Sequence, residues 1–292
     1  MKLLQRTSLF DILARVLVGA FAILCLLPFW LVVAGSFTSE TSILRNGYQF
    51  LPRDLSLEAY QLLFTGQRLY RSYLVTVTVT VVGTILSLLV TSMLAFVMSL
   101  RGVRYTGHMA FFIFFTMLFS GGMVPWYILV SQYLKLSNSI VGLILPIMLN
   151  AWFTLIMRNF FKGIPDAILE SARIDGAGTA RILFQIALPL SGPALATIGL
   201  FYSLQYWNDW WLALMLIEKA DLFPLQFLLR ALVSNLLAAA TSLSPHLSSV
   251  QQPPAYSVRM ATCLVTIGPI IFVYPFVQRY FIKGIFMGSI KG

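Results

Sequence analysis

The stretch ILESARIDGAGTARILFQIALPL, Ile168 to Leu190, decides how the chain is read. Glu170, Arg173, Asp175 and Arg181 bring charge into it, and Gly176 and Gly178 interrupt it. Just upstream, Ile164-Pro165-Asp166 is a helix start: proline suits the first turn, and an acid suits the positive end of the helix dipole. Residues 166–175 are helix-compatible, and Gly176 is a natural left-handed stop. A second helical segment is predicted over 179–188, leading into Leu188-Pro189. A helix of about three turns is marginal alone in water. It needs a surface to pack on, either the ends of its own bundle or a partner protein.

The rest of the chain is of another kind. Of its 292 residues, 59% are hydrophobic and 10% are charged. Soluble domains average about 45–50% apolar and about 25% charged. The fold class expected is an all-α membrane protein. Six apolar segments reach the roughly 20 residues that a crossing helix needs: 13–37, 73–100, 108–131, 139–161, 193–217 and 260–282. Residues 1–12 form an N-terminal segment, and 13–292 read as one transmembrane domain. The first apolar run follows Lys2 and Arg6 and is too long for a typical signal peptide, so it reads as a retained span.

Orientation follows from the basic residues. With the N-terminus inside, the inner side carries 12 of the 20 Lys and Arg and the outer side 8; acids divide 4 and 6. The bias predicts both termini inside, and it places residues 162–192, with the opening stretch, on the cytoplasmic face. The net charge of +10 is then a topology signal and a match to anionic lipid. No basic cluster interleaved with aromatics points to nucleic acid.

Polar groups at membrane depth are functional candidates. The fifth span carries Tyr202, Gln205, Asn208 and Asp209 among Trp207, Trp210 and Trp211; the fourth carries Asn150 and Trp152. Amides and carboxylates can bond sugar hydroxyls while rings cover the apolar sugar face. The same residues suit an interfacial aromatic belt or interhelical hydrogen bonds. The hydroxyls of the second span, Thr76 to Ser92, read as packing. The outer loop 37–72 contains a helix starting at Asp54 or Ser56 with a partly apolar face, suited to a membrane surface or an external protein. The loop 218–258 turns polar toward Ser242–Pro254. Cys25 and Cys263 lie in apolar runs and read as fillers. His108 and His246 lack ligand spacing. No phosphate-binding glycine loop and no nucleophile–base constellation is present, so any ATP chemistry falls to another chain.

Glu170-Ser171-Ala172, three residues, Gly176, nine residues, Ile186, one residue and Leu188-Pro189 resemble the EAA motif of ABC-importer permeases. Ser171 departs from the usual alanine but is also small. FSGGMVPWYILV (Phe119–Val130), IMRNFFKGIP (Ile156–Pro165), LPLSGPALATIGLFYSLQYWNDW (Leu188–Trp210), FPLQFLLR (Phe223–Arg230) and YPFVQRYFIKGIFMGSIKG (Tyr274–Gly292) extend the likeness. The chain resembles carbohydrate-importer permeases of the maltose-permease G type, and within them the polysaccharide and complex-oligosaccharide branch.

The resemblance implies a type I importer permease fold in a bacterial-type cytoplasmic membrane. It implies a heterodimer with a second permease, two copies of a cytoplasmic ATPase and an extracytoplasmic sugar-binding protein. This chain would be a transport subunit rather than an enzyme. It would bind no cofactor, with ATP and Mg²⁺ used by the partner ATPase. Its coupling loop would comprise Glu170, Ser171, Ala172, Asp175, Gly176, Ile186, Leu188 and Pro189. Glu170 would meet a basic residue of the ATPase, and Ala172 would allow a close approach. The alternatives are a secondary transporter or channel, which would favour inverted repeats and several buried charges, and an ABC importer for a non-sugar solute.

Overall fold

The computed structural model describes residues 9–65, 67–242, 254–268 and 271. They pack as two units, one from residues 9–65, 229–242 and 254–268, the other from residues 67–228 and 271. Named in chain order, the helices are α1 (Leu9–Ser36), α2 (Glu40–Asn46), α3 (Glu58–Phe64), α4 (Arg68–Ser99), α5 (Thr106–Leu118), α6 (Met123–Ile128), α7 (Ile140–Ile144), α8 (Ala151–Lys162), α9 (Asp166–Ile174), α10 (Thr179–Ile182), α11 (Leu188–Leu190), α12 (Gly192–Asn208), α13 (Trp211–Leu216), α14 (Leu225–Ser242) and α15 (255–268). Short π-helical turns at Leu129–Tyr133 and Leu183–Ala187 extend α6 and join α10 to α11.

In the larger unit α4 is the central post, packed against α8 and α12. Its buried face is built mainly from small and hydroxyl residues, among them Thr76 and, at intervals of four, Gly83, Ser87, Thr91 and Ala95. Its exposed face carries Val77, Val81, Ile85, Leu89 and Met93. Polar and small inside with large and apolar outside is the arrangement helices adopt in lipid, where close backbone approach and hydrogen bonds hold them together. At Gly83 a Cβ would lie 2.7 Å from the Tyr206 ring.

Two of the predicted spans are bent pairs. α5 and the run Met123–Tyr133 meet at 113°, and Ile140–Ile147 meets α8 at 57°. A break in mid-span frees backbone groups that lipid cannot satisfy. Here α12 supplies partners. Tyr202 Oη accepts the Asn150 amide hydrogen at 3.0 Å, and Tyr206 Oη donates to Ile144 O at 3.1 Å. The Asn150 side chain accepts from the Phe153 amide at 3.2 Å and so caps α8.

The span predicted over 193–217 is also interrupted. α12 ends at Asn208, and Asp209, facing the amides of Trp211 and Leu212, starts α13. An aspartate competes for backbone amides and favours a cap over a helix interior. The loop expected over 218–258 contains the 18-residue α14, whose apolar Leu225, Leu228 and Leu229 are buried. Ser242–Pro254, His246 and the tail Tyr274–Gly292 fall wholly or largely outside the described residues, as does most of the sixth predicted span; 260–268 of it is helical within α15.

Among the described residues α1 and α4 are each long and apolar enough to cross a membrane, and up to five crossings result if each bent pair is one span. In the smaller unit α1 is exposed along nearly its whole length, Cys25 included. At its end Ser36 Oγ accepts from Tyr60 Oη of α3 at 2.9 Å. Ser56 Oγ accepts the Glu58 amide hydrogen at 3.2 Å, at the predicted start of α3.

Candidate functional site

The opening stretch folds as its local signals dictate. α9 spans Asp166–Ile174. The Gly176 amide bonds to Arg173 O at 3.0 Å and the Ala177 amide to Ala172 O at 2.9 Å. This reciprocal closure needs a left-handed residue at Gly176, whose φ is +80°. The run Thr179–Leu190 then turns 86° into α12 at Ser191.

α9 has three differently occupied sides. Leu169 and Ala172, three residues apart, are buried with Ile164 in the chain's own core. The small side chain of Ala172 therefore admits α9 to its own bundle. Asp166, Glu170 and Arg173, at successive helical turns, line a cleft with the ends of α4 and α8. Ser171 and Ile174 face outward, and Ile174 is 86% exposed. Glu170, Asp175, Gly176 and Pro189 are also exposed. Ile186 and Leu188 are half-buried against the core, so the last part of the motif anchors the loop while the first part presents it. The Ser171 hydroxyl donates to Ile168 O at 3.1 Å within the helix.

Two contacts fix the start of α9 and the end of α8. Arg101, well exposed, forms an ion pair with the partly exposed Asp166. Arg158 Nε donates to Met98 O at 3.1 Å, using one of the carbonyls that the end of α4 leaves open. An exposed pair of the first kind is worth at most about 1 kcal/mol. Neither partner stands out in sequence, since the two contacts join residues 65 and 60 positions apart.

The polar residues of the fourth and fifth spans separate into two groups. Tyr202 is fully buried, and Thr91 Oγ1 and the Asn150 amide engage its hydroxyl. Asn150 caps α8. Both therefore hold helices together. Trp152 is 58% exposed, Asn208 is exposed, and Gln205 and Asp209 are half-buried. Asn208 Nδ2 donates to Leu204 O at 2.9 Å, and its Oδ1 accepts from Gln226 at 3.3 Å. Stacking of Phe153 on Phe201 at 5.6 Å sets the first turn of α8 beside the middle of α12. The second-span hydroxyls expected to serve packing include Ser87 and Thr91, which pair with Tyr206 and Tyr202 across the helices rather than with their own helix. Their spacing of four, matched by the spacing of the tyrosines, was the available signal.

Residues 87–287 match the model of the binding-protein-dependent transport system inner membrane component family. The chain belongs to this family. It is 39% identical over 288 residues to the polygalacturonan/rhamnogalacturonan transport system permease protein YtcP of Bacillus subtilis (strain 168), covering 99% of this chain and 100% of the relative. Protein LplC of the same organism is 35% identical over 97% of this chain and 95% of its own. The arabinooligosaccharides transport system permease protein AraQ of Halalkalibacterium halodurans is 29% identical over 93% of each. A solved bacterial ABC transporter involved in import of the acidic polysaccharide alginate contains a chain that superposes with TM-score 0.81 and 31% identity, over 95% of this chain and 98% of its own. The type I permease fold expected from the motif is thus the fold of this chain.

Proposed function

We propose that this permease works in an ABC importer for an oligosaccharide, and that α9 is its contact with the cytoplasmic ATPase. The observation that carries the reading is the construction of α9. One side is anchored in the permease core, and the opposite side offers Ser171 and the highly exposed Ile174 just before a glycine stop. A short helix so anchored moves as a rigid body with the bundle, as transmission of ATPase closure requires. Glu170 adds a charge beside it for a basic partner residue.

The importer comprises this chain, a second homologous permease, two ATPase copies and an extracytoplasmic binding protein. The chain has six spans with both termini inside, in a bacterial cytoplasmic membrane; the distribution of basic residues supports this orientation. The substrate path runs past aromatic and amide groups of α8 and α12, chiefly the exposed Trp152 and Asn208 and the half-buried Gln205, with Asp209 at its edge. The relatives named for polygalacturonan, rhamnogalacturonan, alginate and arabino-oligosaccharides support a carbohydrate oligomer as cargo.

The test is purification of the tagged chain from its native membrane in mild detergent. Recovery of a second permease and an ATPase, with ATP hydrolysis and uptake of labelled galacturonan or arabinan oligomers after reconstitution with the binding protein, is the expected result. A lone chain without ATPase would overturn the importer reading in favour of a secondary transporter. Hydrolysis stimulated only by a non-sugar solute would overturn the cargo.

A further inference from the structure

We propose that the cleft where α4, α8 and α9 converge holds the phosphate of an anionic phospholipid headgroup. The cleft has a volume of about 470 Å³. Its charged lining is Arg101, Arg158, Lys162, Arg173, Asp166 and Glu170, four cations against two carboxylates. Arg101 and Asp166 already neutralise each other. That leaves Arg158, Lys162 and Arg173 against Glu170, and among the described residues none of these four enters an ion pair. Arg158 is held by its Nε–H bond to Met98 O at 3.1 Å, an arrangement that commits one nitrogen of the guanidinium and leaves the terminal two to bind an anion. Cations converging on one cleft with a shortage of carboxylates constitute an anion site, and guanidinium suits phosphate oxygens in particular.

The position selects a lipid over a soluble anion. The cleft lies at the ends of the apolar helices α4 and α8, which is where headgroups lie if these helices cross the bilayer. Thr106, the first residue of α5, also lines it. The cleft is also lined by Met98, Leu100, Phe161, Ile164 and Leu169. A phosphate held there has this apolar wall beside it for the first carbons of the acyl chains. A free anion would gain the charges but not the wall. Basic side chains at independent helix ends would attract anionic lipid additively, by about fivefold each; a shared cleft binds one lipid and loses it when two of its cations are removed.

The full chain, delipidated in detergent, is titrated with phosphatidylglycerol and with phosphatidylcholine, and bound lipid is counted by native mass spectrometry. One phosphatidylglycerol should bind at least tenfold tighter than phosphatidylcholine. Lys162→Gln with Arg173→Gln should bring that preference to within about twofold. Lys135→Gln with Lys219→Gln, which removes two cations away from the cleft, should leave it. Millimolar inorganic phosphate should not compete. If the double variant fails to fold, photo-crosslinking of a headgroup-labelled phosphatidylglycerol to the wild-type chain decides, with the label expected in peptides covering 158–173. No preference, an unchanged preference in the cleft variant, full competition by inorganic phosphate, or label spread over the other basic segments would each overturn the proposal.

Discussion

Tyr206 Oη lies 2.9 Å from Ser87 Oγ, deep between α12 and α4, and its ring rests on Gly83. Because Tyr206 gives its proton to Ile144 O, the serine is the donor in the shorter contact. One phenol thus bridges three helices and satisfies a carbonyl beside a broken span. Tyr206→Phe removes both bonds while keeping the ring. Interhelical bonds in membranes average about 0.6 kcal/mol and reach about 2, so a loss of roughly 1–2 kcal/mol is expected. Thermal unfolding of the purified chain, with a Tm a few degrees lower, would register it.

Gly83 answers to a different force. A methyl group there meets ring atoms of Tyr206 at 2.7–2.9 Å, closer than atoms pack without displacement. The ring cannot retreat without giving up its bonds to Ser87 and Ile144. Gly83→Val should therefore cost more than Tyr206→Phe, about 3 kcal/mol, and Gly83→Ala somewhat less. If Tyr206→Ala is added, the vacated space should absorb much of the Gly83→Ala penalty; a double-mutant cycle in Tm measures that coupling.

α9 allows the permease's own stability to be separated from its work. Ala172 is buried in the chain's core, whereas Ile174 is 86% exposed. Ala172→Leu should destabilise the isolated chain by about 1–3 kcal/mol through overpacking. Ile174→Asp and Glu170→Lys should leave its Tm within a degree and abolish ATPase co-purification or sugar-stimulated hydrolysis. Gly176→Pro should abolish transport at normal membrane levels, since proline cannot adopt φ near +80°. Wild-type uptake by Glu170→Lys and Ile174→Asp at equal expression would remove the coupling role of α9.

Trp152 and Tyr202 differ in what surrounds them, and this separates the proposed substrate path from the helix scaffold. Tyr202 is fully buried with its hydroxyl engaged, and Trp152 is 58% exposed on α8. Trp152→Ala is expected to raise the half-saturating sugar concentration for reconstituted uptake by roughly tenfold, the loss of one stacking contact of ~1.4 kcal/mol, with little change in Tm. Tyr202→Phe is expected to do the reverse. Equal effects of the two on uptake would place Trp152 in the scaffold as well.

The parts legible in the sequence were those set by local chemistry. Pro165-Asp166 and Gly176 bound α9 because a proline start and a positive-φ stop are decided within a few residues. The long apolar α1 and α4 were legible because length and hydrophobicity suffice. The breaks at Asn150 and Asp209 were not. Asn150 looks like polar decoration until a partner helix takes the freed backbone groups, as Tyr202 and Tyr206 do from 52 and 62 positions away. Asp209 looks so until its carboxylate faces the amides of Trp211 and Leu212. For the same reason the direction of Ala172 could not be read. A small residue permits close approach to either side of a helix, and only the buried neighbours Leu169 and Ile164 decide which.

Glu40 carries a contact of the same long-range kind. It is 7% exposed at the start of α2. Its Oε1 accepts the Tyr256 amide at 2.9 Å, and its Oε2 accepts the Ser257 amide and hydroxyl at 2.9 and 2.8 Å. The carboxylate thus caps the first turn of α15, where unsatisfied amides and the helix dipole both favour negative charge. Hydrogen bonds to a charged group are worth about 1.5–3 kcal/mol, and three converge here, so Glu40→Ala should cost about 3 kcal/mol or more and expose residues 255–268 first. Glu40→Gln keeps one acceptor oxygen and forfeits the charge, so it should fall between. Ser257→Ala gives up the hydroxyl bond alone and should cost least. Amide hydrogen exchange over 255–268 reads the order Ala > Gln > Ser257→Ala directly. Equal protection of this segment in Glu40→Ala and the wild-type chain would mean that the cap does not hold α15.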